Sequence, residues 1–262
     1  MLEGLGDDLR QPIVRSLGSS TVALFALPDN ATQWLELAGS GTLVQNGDSY
    51  YILTAAHVWE EGLKSKKQVG ITLTDNIDHQ TPIDIDTIVP TILKPDASQW
   101  NEWGPDLAML RIPLDRVGGI KAFQVFEDPN APPKRLNAEC IECWVAMGAP
   151  RELGTFTQNH AQVQISGRFV ALPKYHHHAE YDYYDFEMDT TPPMPQSFQG
   201  FSGGGLWRVM VYCSPETGKV EWAKRLKGVL YWQFPVENGH RIIRCHGLES
   251  ITAIAVQGEE SC

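Results

Sequence analysis

The pattern of apolar and polar positions predicts a protein built mostly of β-strands. Short runs of β-branched and aromatic residues recur along the chain and alternate with turn-forming residues. Asn46-Gly47 lies between two of these runs and indicates a hairpin turn. Residues 248–257 instead have the apolar spacing of a short helix that closes the fold. The predicted strands are residues 21–27, 41–45, 50–55, 69–74 and 107–112, followed by 142–148, 161–172, 204–212, 227–234 and 241–247.

These strands fall into two groups, which suggests two β-rich units. The segment between the groups, residues 127–135, is polar and rich in proline, as linkers are. We therefore expect an N-terminal unit at residues 1–126, a linker at 127–135 and a C-terminal unit at 136–262. A ligand site would lie in the cleft where the two units meet.

Composition narrows the class of protein. With 262 residues, 42% of them hydrophobic, the chain can form a substantial core. The formal net charge of −11 argues against a nucleic-acid binder, fits solubility, and leaves recognition of a basic peptide open. The sequence has no apolar run long enough for a membrane span, and its acidic start lacks the features of a secretory signal. We expect a cytoplasmic protein that binds neither nucleic acid nor membrane.

The cysteines and histidines raise the question of a metal site. Five cysteines without a secretory signal suggest reduced thiols. Cys140 and Cys143 have a metal-site spacing, but on a predicted strand they point to opposite faces. We expect structural cysteines, with a metal or redox pair including Cys213 or Cys245 as the alternative. His176-His177-His178 is expected in an exposed loop or strand near the cleft, with a metal site as its alternative. The leading expectation is no metal and no cofactor.

Three residues carry candidate chemistry. A serine hydroxyl is a poor nucleophile unless a base takes its proton, and histidine titrates close to neutral pH. His57 follows a predicted strand, Asp106 precedes an apolar strand, and Ser202 lies in a glycine-rich turn. A buried carboxylate would orient the imidazole. The glycines would allow the backbone N–H groups of Gly200 and Ser202 to form an oxyanion hole.

These motifs resemble those of the trypsin/chymotrypsin-like serine proteases. The matching segments are TAAH at 54–57, DLAML at 106–110 and SGG at 202–204, in the family's order, and GVLYW at 228–232 resembles its substrate-binding strand. The resemblance implies an all-β fold of two packed antiparallel six-stranded β-barrels with a short C-terminal helix. It also implies an acyl-enzyme mechanism with His57, Asp106 and Ser202 as the triad.

The chain departs from the secreted members of that family. Those members carry an aspartate immediately before the nucleophile, where it pairs with a new N-terminus after cleavage. Phe201 stands there instead, so we do not expect activation by N-terminal cleavage. His246, in the last predicted strand, is expected to be an ordinary strand-end histidine. The chain is in these respects closest to intracellular bacterial members.

The resemblance also implies which residues contact a substrate. Gln196 and Ser197 would line the base of the specificity pocket, and Tyr231 and Trp232 would lie along the substrate backbone. Gln233 stands where many relatives have glycine, so its side chain would narrow the pocket and favour a small or polar residue.

The sequence thus predicts an intracellular serine endopeptidase acting on a protein or peptide. Because an unregulated protease would endanger its own cell, we expect gating by a protein partner, a ligand or narrow specificity, with bacterial stress or defence as one setting. A non-catalytic peptide-binding module on the same fold is the alternative. An esterase is the third reading, although the chain lacks the alternation of strands and helices that many esterases have.

Overall fold

A computed structural model of the protein contains two antiparallel sheets of seven strands each, which confirms the predicted all-β architecture. The structure describes residues 6–27, 35–72, 80–95, 100–132, 139–156, 161–190 and 197–260. The first sheet contains β1 (Thr21–Ala26), β2 (Glu36–Asn46), β3 (Ser49–Thr54), β4 (Gln68–Thr72), β5 (Gln80–Asp84), β6 (Val89–Leu93) and β7 (Leu107–Arg111).

The second sheet follows the first in the chain. It contains β8 (Cys140–Gly148), β11 (Ser166–Val170), β12 (Lys174–His178), β13 (Tyr181–Asp189), β14 (Gly205–Cys213), β15 (Val220–Glu237) and β16 (His240–Gly247), and β9 (Thr155–Phe156) pairs with β10 (Ala161–Gln162) in a separate ribbon. The unit limits at 126 and 136 remain predictions, and residues 133–135 of the predicted linker lie outside the described residues.

Each sheet curls until its two edge strands are neighbours along the chain. The strand orders are β5-β4-β1-β2-β3-β7-β6 and β11-β8-β14-β15-β16-β13-β12. A 3₁₀ turn at Ile85–Thr87 joins the edge strands β5 and β6, and residues 171–173 join β11 and β12. Each sheet has seven strands instead of the predicted six because, in each sheet, a turn divides one segment of the chain into two edge strands. Pro173, which has no N–H to donate, contributes to the second interruption.

Three helices pack against the sheets: α1 (Asp7–Gly18), α2 (Leu114–Lys121) and α3 (Leu248–Glu260). The helix α3 confirms the predicted closing helix and contacts β6 and β7 of the first sheet. The helix α1 was not predicted. It contacts β8 and β11 of the second sheet, and its two fully buried residues, Ile13 and Leu17, are one helical turn apart. Among the described residues, no helix is long and apolar enough to cross a membrane.

A large apolar cluster connects the two sheets. Leu53 and Met109 of the first sheet pack in the same cluster as Val145 and Trp207 of the second. Helices α1 and α3 add buried side chains to this cluster, including Ile254. Because apolar burial is the main favourable term in folding, this shared core fixes the two sheets against each other.

We predict that Ile13→Ala lowers the free energy of unfolding by about 2–5 kcal/mol, because it removes a fully buried side chain between α1 and the second sheet. Urea titration of the purified protein measures the change. Gln11→Ala, at an exposed position of the same helix, is the control and should stay within about 0.5 kcal/mol of wild type. Equal stability of the two variants would show that α1 is not docked.

Candidate active site

His57 and Asp106 are brought together by strand pairing in the first sheet. Strand β3 ends three residues before His57, and β7 begins immediately after Asp106; the two strands pair through Thr54 and Ala108. The His57 imidazole Nδ1 lies 2.6 Å from Asp106 Oδ2, and the His57 backbone N–H donates to Asp106 Oδ1 at 3.0 Å. Both oxygens of a carboxylate that is 1% exposed are therefore bound by one residue.

The environment of His57 makes its imidazole more basic. Burial lowers the pKa of His57, but the hydrogen bond and negative charge of Asp106, with a smaller effect of Glu61, outweigh burial and raise the pKa above its ordinary value. Since Nδ1 faces Asp106, Nε2 is the nitrogen left to accept a proton from the cleft.

Ser202 lies in the turn before β14, and the first sheet binds this turn through Ser40. The Ser40 hydroxyl donates to the carbonyl of Gly200 at 2.6 Å and accepts the N–H of Ala149 at 2.8 Å. The Ser40 N–H donates to the carbonyl of Ser202 at 2.8 Å. Ser40 is fully buried, and nothing in the sequence motifs pointed to it. Its contacts fix the turn to both halves of the molecule.

The backbone around Gly200 has a defined orientation. The Phe201 N–H donates to the Phe198 carbonyl at 2.9 Å, and Gly200, the third residue of this turn, has a φ of +95°. Such a turn needs a positive φ at that position, which glycine adopts without strain. The Arg151 N–H binds the Gln199 carbonyl at 2.8 Å. Because the two groups of a trans peptide point in opposite directions, the Gly200 N–H is directed away from Arg151.

In this arrangement the two N–H groups predicted to bind the oxyanion are available to donate hydrogen bonds to a ligand. Within the described parts of the chain, neither the Gly200 N–H nor the Ser202 N–H donates to a protein acceptor. The described residues also contain no hydrogen bond between the Ser202 hydroxyl and the imidazole of His57. The structure thus joins His57 to Asp106 directly and places Ser202 on the same cleft without a direct bond.

The cleft that contains these residues has a volume of about 520 Å³. Its walls include His57, Gly200 and Ser202, together with Trp100 and Glu61. The Trp100 ring lies edge-on to His57, with 6.0 Å between the ring centroids, and its indole N–H donates to the Glu61 carboxylate. The Trp100 ring therefore covers one side of the imidazole, and its hydrogen bond holds the Glu61 carboxylate near that ring.

Next to Ser202 is a much smaller cavity of about 20 Å³, with walls that include Phe198, Trp232 and Gln233. The Gln233 side-chain oxygen accepts the Phe198 N–H and the Arg241 guanidinium, each at 3.2 Å. A cavity of this size has room for about one water molecule. The amide of Gln233 is therefore fixed beside the cavity, and its narrowing of a specificity pocket remains a prediction.

Of the other predicted substrate-binding residues, Tyr231 and Trp232 line the same cavity and Ser197 does not. Tyr231 is buried, and its hydroxyl donates to the Glu102 carbonyl at 2.6 Å, so its side chain supports the segment before Asp106. The Ser197 N–H donates to the Glu152 carboxylate at 2.8 Å. Gln196 lies outside the described residues.

The candidate metal ligands do not converge. Within the ranges that the structure describes, no group of three or more His, Cys, Asp or Glu side chains is placed to bind a metal ion. Cys140 is exposed and Cys143 is buried, and burial raises the pKa of Cys143 to about 11. His176 lies 3.0 Å from the Asp185 carboxylate, and His178 stacks on a tryptophan ring.

His246 has a more specific place than an ordinary strand-end histidine. It is fully buried in β16, and its Nε2 accepts the backbone N–H of Asp106 at 3.0 Å. The two residues are 140 positions apart, so the contact spans the two sheets. No local sequence signal indicates it.

Comparison with known proteins identifies the family. The family model described as Trypsin matches residues 28–237, and the chain therefore belongs to the trypsin family of serine peptidases. No curated protein matches the chain. One solved structure, described as "Aromatic interactions drive the coupled folding and binding of the intrinsically disordered Sesbania mosaic virus VPg protein", aligns at 12% identity with 88% of this chain and 86% of that chain. The TM-score of this alignment is 0.42.

We predict that Glu61→Gln lowers the pKa of His57, because it removes a nearby negative charge that favours the imidazolium. A reaction that needs neutral His57 would then persist to lower pH. An NMR titration of the His57 ring protons measures the change. Glu60→Gln is the matched control, since the Glu60 carboxylate binds Lys64 and Lys94. Equal shifts in both variants would contradict a specific effect of Glu61.

Proposed function

We propose that the chain is a serine endopeptidase that uses Ser202 as nucleophile, His57 as general base and Asp106 as the group that orients His57. The observation that carries this proposal is the 2.6 Å contact between His57 Nδ1 and the buried Asp106 carboxylate. It leaves the second ring nitrogen for the cleft that also contains Ser202. The family membership supports the same chemistry.

The proposed reaction proceeds through an acyl-enzyme. Ser202 Oγ attacks the carbonyl carbon of the scissile peptide while His57 Nε2 takes the hydroxyl proton. The N–H groups of Gly200 and Ser202 bind the oxyanion, and removal of one such donor typically costs about 3–4 kcal/mol. The C–N bond then breaks as His57 returns the proton to the amine. Water, deprotonated by His57, hydrolyses the ester and releases the acid and free Ser202.

A small residue on the acyl side of the cleaved bond is part of the proposal. The cavity beside Ser202 has a volume of about 20 Å³, and the Gln233 amide is bound by Phe198 and Arg241 in its wall. A glycine or alanine side chain needs little or none of that space, whereas a leucine or arginine would have to displace Gln233. The preference for a small residue follows from this limit.

Gating of the activity is also proposed. The structure supports it because the Ser202 hydroxyl is not hydrogen-bonded to the described imidazole of His57. A protein partner or ligand in the cleft would complete that contact, as bound substrates do in many hydrolases. Equal rates of Ser202 labelling in purified protein, alone and with an extract of the native host, would argue against gating.

The cellular setting remains a proposal as well. We infer a cytoplasmic, bacterial protease from the likeness of its sequence motifs to those of intracellular bacterial members of the family. The four described cysteines are free, in keeping with a reducing compartment. Thiol mapping of the protein isolated from its host tests the inference, and disulfides in that material would contradict it.

A fluorophosphonate probe tests the nucleophile. We expect wild-type protein to be labelled, Ser202→Ala to lose labelling completely, and His57→Ala to react at least about 100-fold more slowly, because general-base catalysis contributes about that much. Ser49→Ala, at the far end of the β2–β3 hairpin, serves as the control and should be labelled like wild type. Label retained in Ser202→Ala would disprove this assignment, and a non-catalytic peptide-binding module would leave the wild type unlabelled.

A second experiment tests the small cavity. We expect Gln233→Gly to raise the ratio of kcat/KM for leucine over alanine substrates by about tenfold or more, because each added methylene that fits a pocket is worth roughly that factor. Paired peptides that differ only at this position give the ratio. Gln199→Ala, in the wall of the cleft but not of the small cavity, should leave it unchanged. An unchanged ratio in Gln233→Gly would remove Gln233 as the determinant.

A further inference from the structure

The segment that leads to Asp106 is bound by side chains of the second sheet. The Glu102 carbonyl accepts the Tyr231 hydroxyl at 2.6 Å and Arg244 Nη1 at 3.0 Å. The Trp103 carbonyl accepts the Tyr183 hydroxyl at 2.6 Å. The first sheet supplies the segment itself, whereas these three donors come from β13, β15 and β16. Side chains of the second sheet therefore fix the main-chain position of a segment that belongs to the first sheet.

The Arg244 side chain is itself fixed in place. Its guanidinium makes two hydrogen bonds to the Asp185 carboxylate, at 2.7 and 2.8 Å, and lies 3.8 Å from the centre of the Trp103 ring. The opposing charge and the aromatic ring both favour the guanidinium in this position. His178 stacks on the same Trp103 ring, with 4.5 Å between the centroids. The segment before Asp106 thus lies against a rigid surface.

His246 makes the contact closest to the candidate chemistry. On β16 it lies two residues after Arg244 and so faces the same side of the strand. Its Nε2 accepts the Asp106 N–H at 3.0 Å. Gly104 permits this approach: its φ is +56°, and a Cβ there would lie 3.0 Å from the Asp106 nitrogen and 3.2 Å from His246 Nε2. A larger residue at 104 would push between the two groups.

The surroundings of His246 keep its ring in one orientation. It is fully buried, and the Tyr231 ring stacks on it with 4.5 Å between centroids. Tyr183 and Tyr181 contact it with centroids at 5.1 and 6.1 Å. Among the described residues, its Nδ1 has no hydrogen-bond partner. The Asp106 N–H is therefore the polar contact that this buried imidazole makes.

We propose that His246 is a positioning residue for Asp106: it fixes the main chain of Asp106 from the second sheet so that the carboxylate stays aligned with His57. This inference rests on the proposed function of His57, Asp106 and Ser202. The Asp106 residue is then bound at two points, its N–H by His246 and its carboxylate by His57. Loss of the hydrogen bond between the Asp106 N–H and His246 would let the Asp106 carboxylate move relative to the His57 imidazole.

The role requires a neutral ring, because a protonated Nε2 cannot accept the Asp106 N–H. The groups that face His246 are the three tyrosine rings and the carboxylates of Asp106 and Asp182. Burial lowers the pKa of His246 to about 4, against the opposing effect of those two carboxylates. His246 therefore accepts the hydrogen bond throughout the neutral pH range, with its proton on Nδ1.

The test uses two substitutions that separate hydrogen bonding from packing. His246→Phe preserves an aromatic ring in the tyrosine cage and removes the acceptor, whereas His246→Gln supplies a side-chain oxygen as acceptor. We expect His246→Phe to lower the pKa of His57, measured by NMR, and to lower kcat about 10- to 100-fold with little change in KM, as small displacements of catalytic groups do. His246→Gln should restore both quantities to near wild type.

Cys245→Ala is the matched control, because Cys245 is the adjacent, fully buried residue of β16 and packs in a different cluster with Trp144 and Phe186. A His57 pKa in His246→Phe equal to that of the wild type would overturn the inference. A fall of the His57 pKa in Cys245→Ala as large as that in His246→Phe would also overturn it. If His246→Phe does not fold, the through-hydrogen-bond coupling between the Asp106 amide nitrogen and His246 Nε2 in labelled wild type decides: its presence supports the role, and its absence refutes it.

The two proposals fail in different ways. An unlabelled Ser202 in wild type, together with a His57 pKa that responds to His246→Phe, would refute the protease and leave the positioning contact in place. A labelled Ser202, together with a His57 pKa that does not change in His246→Phe, would refute the positioning contact and leave the protease assignment in place.

Discussion

The buried negative charge of Asp106 is the constraint on which the rest of this site depends. A carboxylate with 1% exposure must be compensated by hydrogen bonds, because an unpaired buried charge costs several kcal/mol. His57 supplies both donors, one from its backbone and one from its ring. Compensation of the charge therefore also selects the orientation of the imidazole and the nitrogen that is free for the cleft.

That constraint explains why the two sheets cannot be considered separately. The first sheet brings His57 beside Asp106 through the pairing of β3 with β7. The second sheet fixes the main chain before Asp106, and Ser40 of the first sheet in turn fixes the turn that carries Ser202. Each half thus orders a loop of the other. The geometry of the cleft is a property of the interface, and the shared apolar cluster beneath it maintains that geometry.

Much of the fold could be predicted because its signals are local. Alternating β-branched runs revealed most strands, and the β2–β3 hairpin forms with its turn at Gly47 and Asp48, one residue beyond the Asn46-Gly47 signal. The closing helix followed from its apolar spacing. Helix α1 was missed because it contains a proline and has only two buried residues, Ile13 and Leu17, which distant strands cover. The strand breaks at the sheet edges depend on curvature, which is a property of the whole sheet.

The residues of the candidate site also fall into two groups, those with a local sequence signal and those without one. His57, Asp106 and Ser202 each stand in a recognisable local motif; the structure places His57 and Ser202 in the wall of one cleft and Asp106, buried, against His57. Ser40 and His246 carry no such signal, because their partners lie 160 and 140 residues away. The effect of Gln233 depends on which groups bind its amide, and the sequence does not specify them.

The docking of α1 has a consequence for the order of events during synthesis. Its apolar face leaves the ribosome more than a hundred residues before β8 and β11, the strands that cover that face. A nascent chain that has completed only the first sheet therefore exposes Ile13 and Leu17 and lacks the contact that His246 of the second sheet makes with Asp106. The complete cleft therefore forms only after the strands of the second sheet have been synthesised, so a product truncated before β8 would lack it.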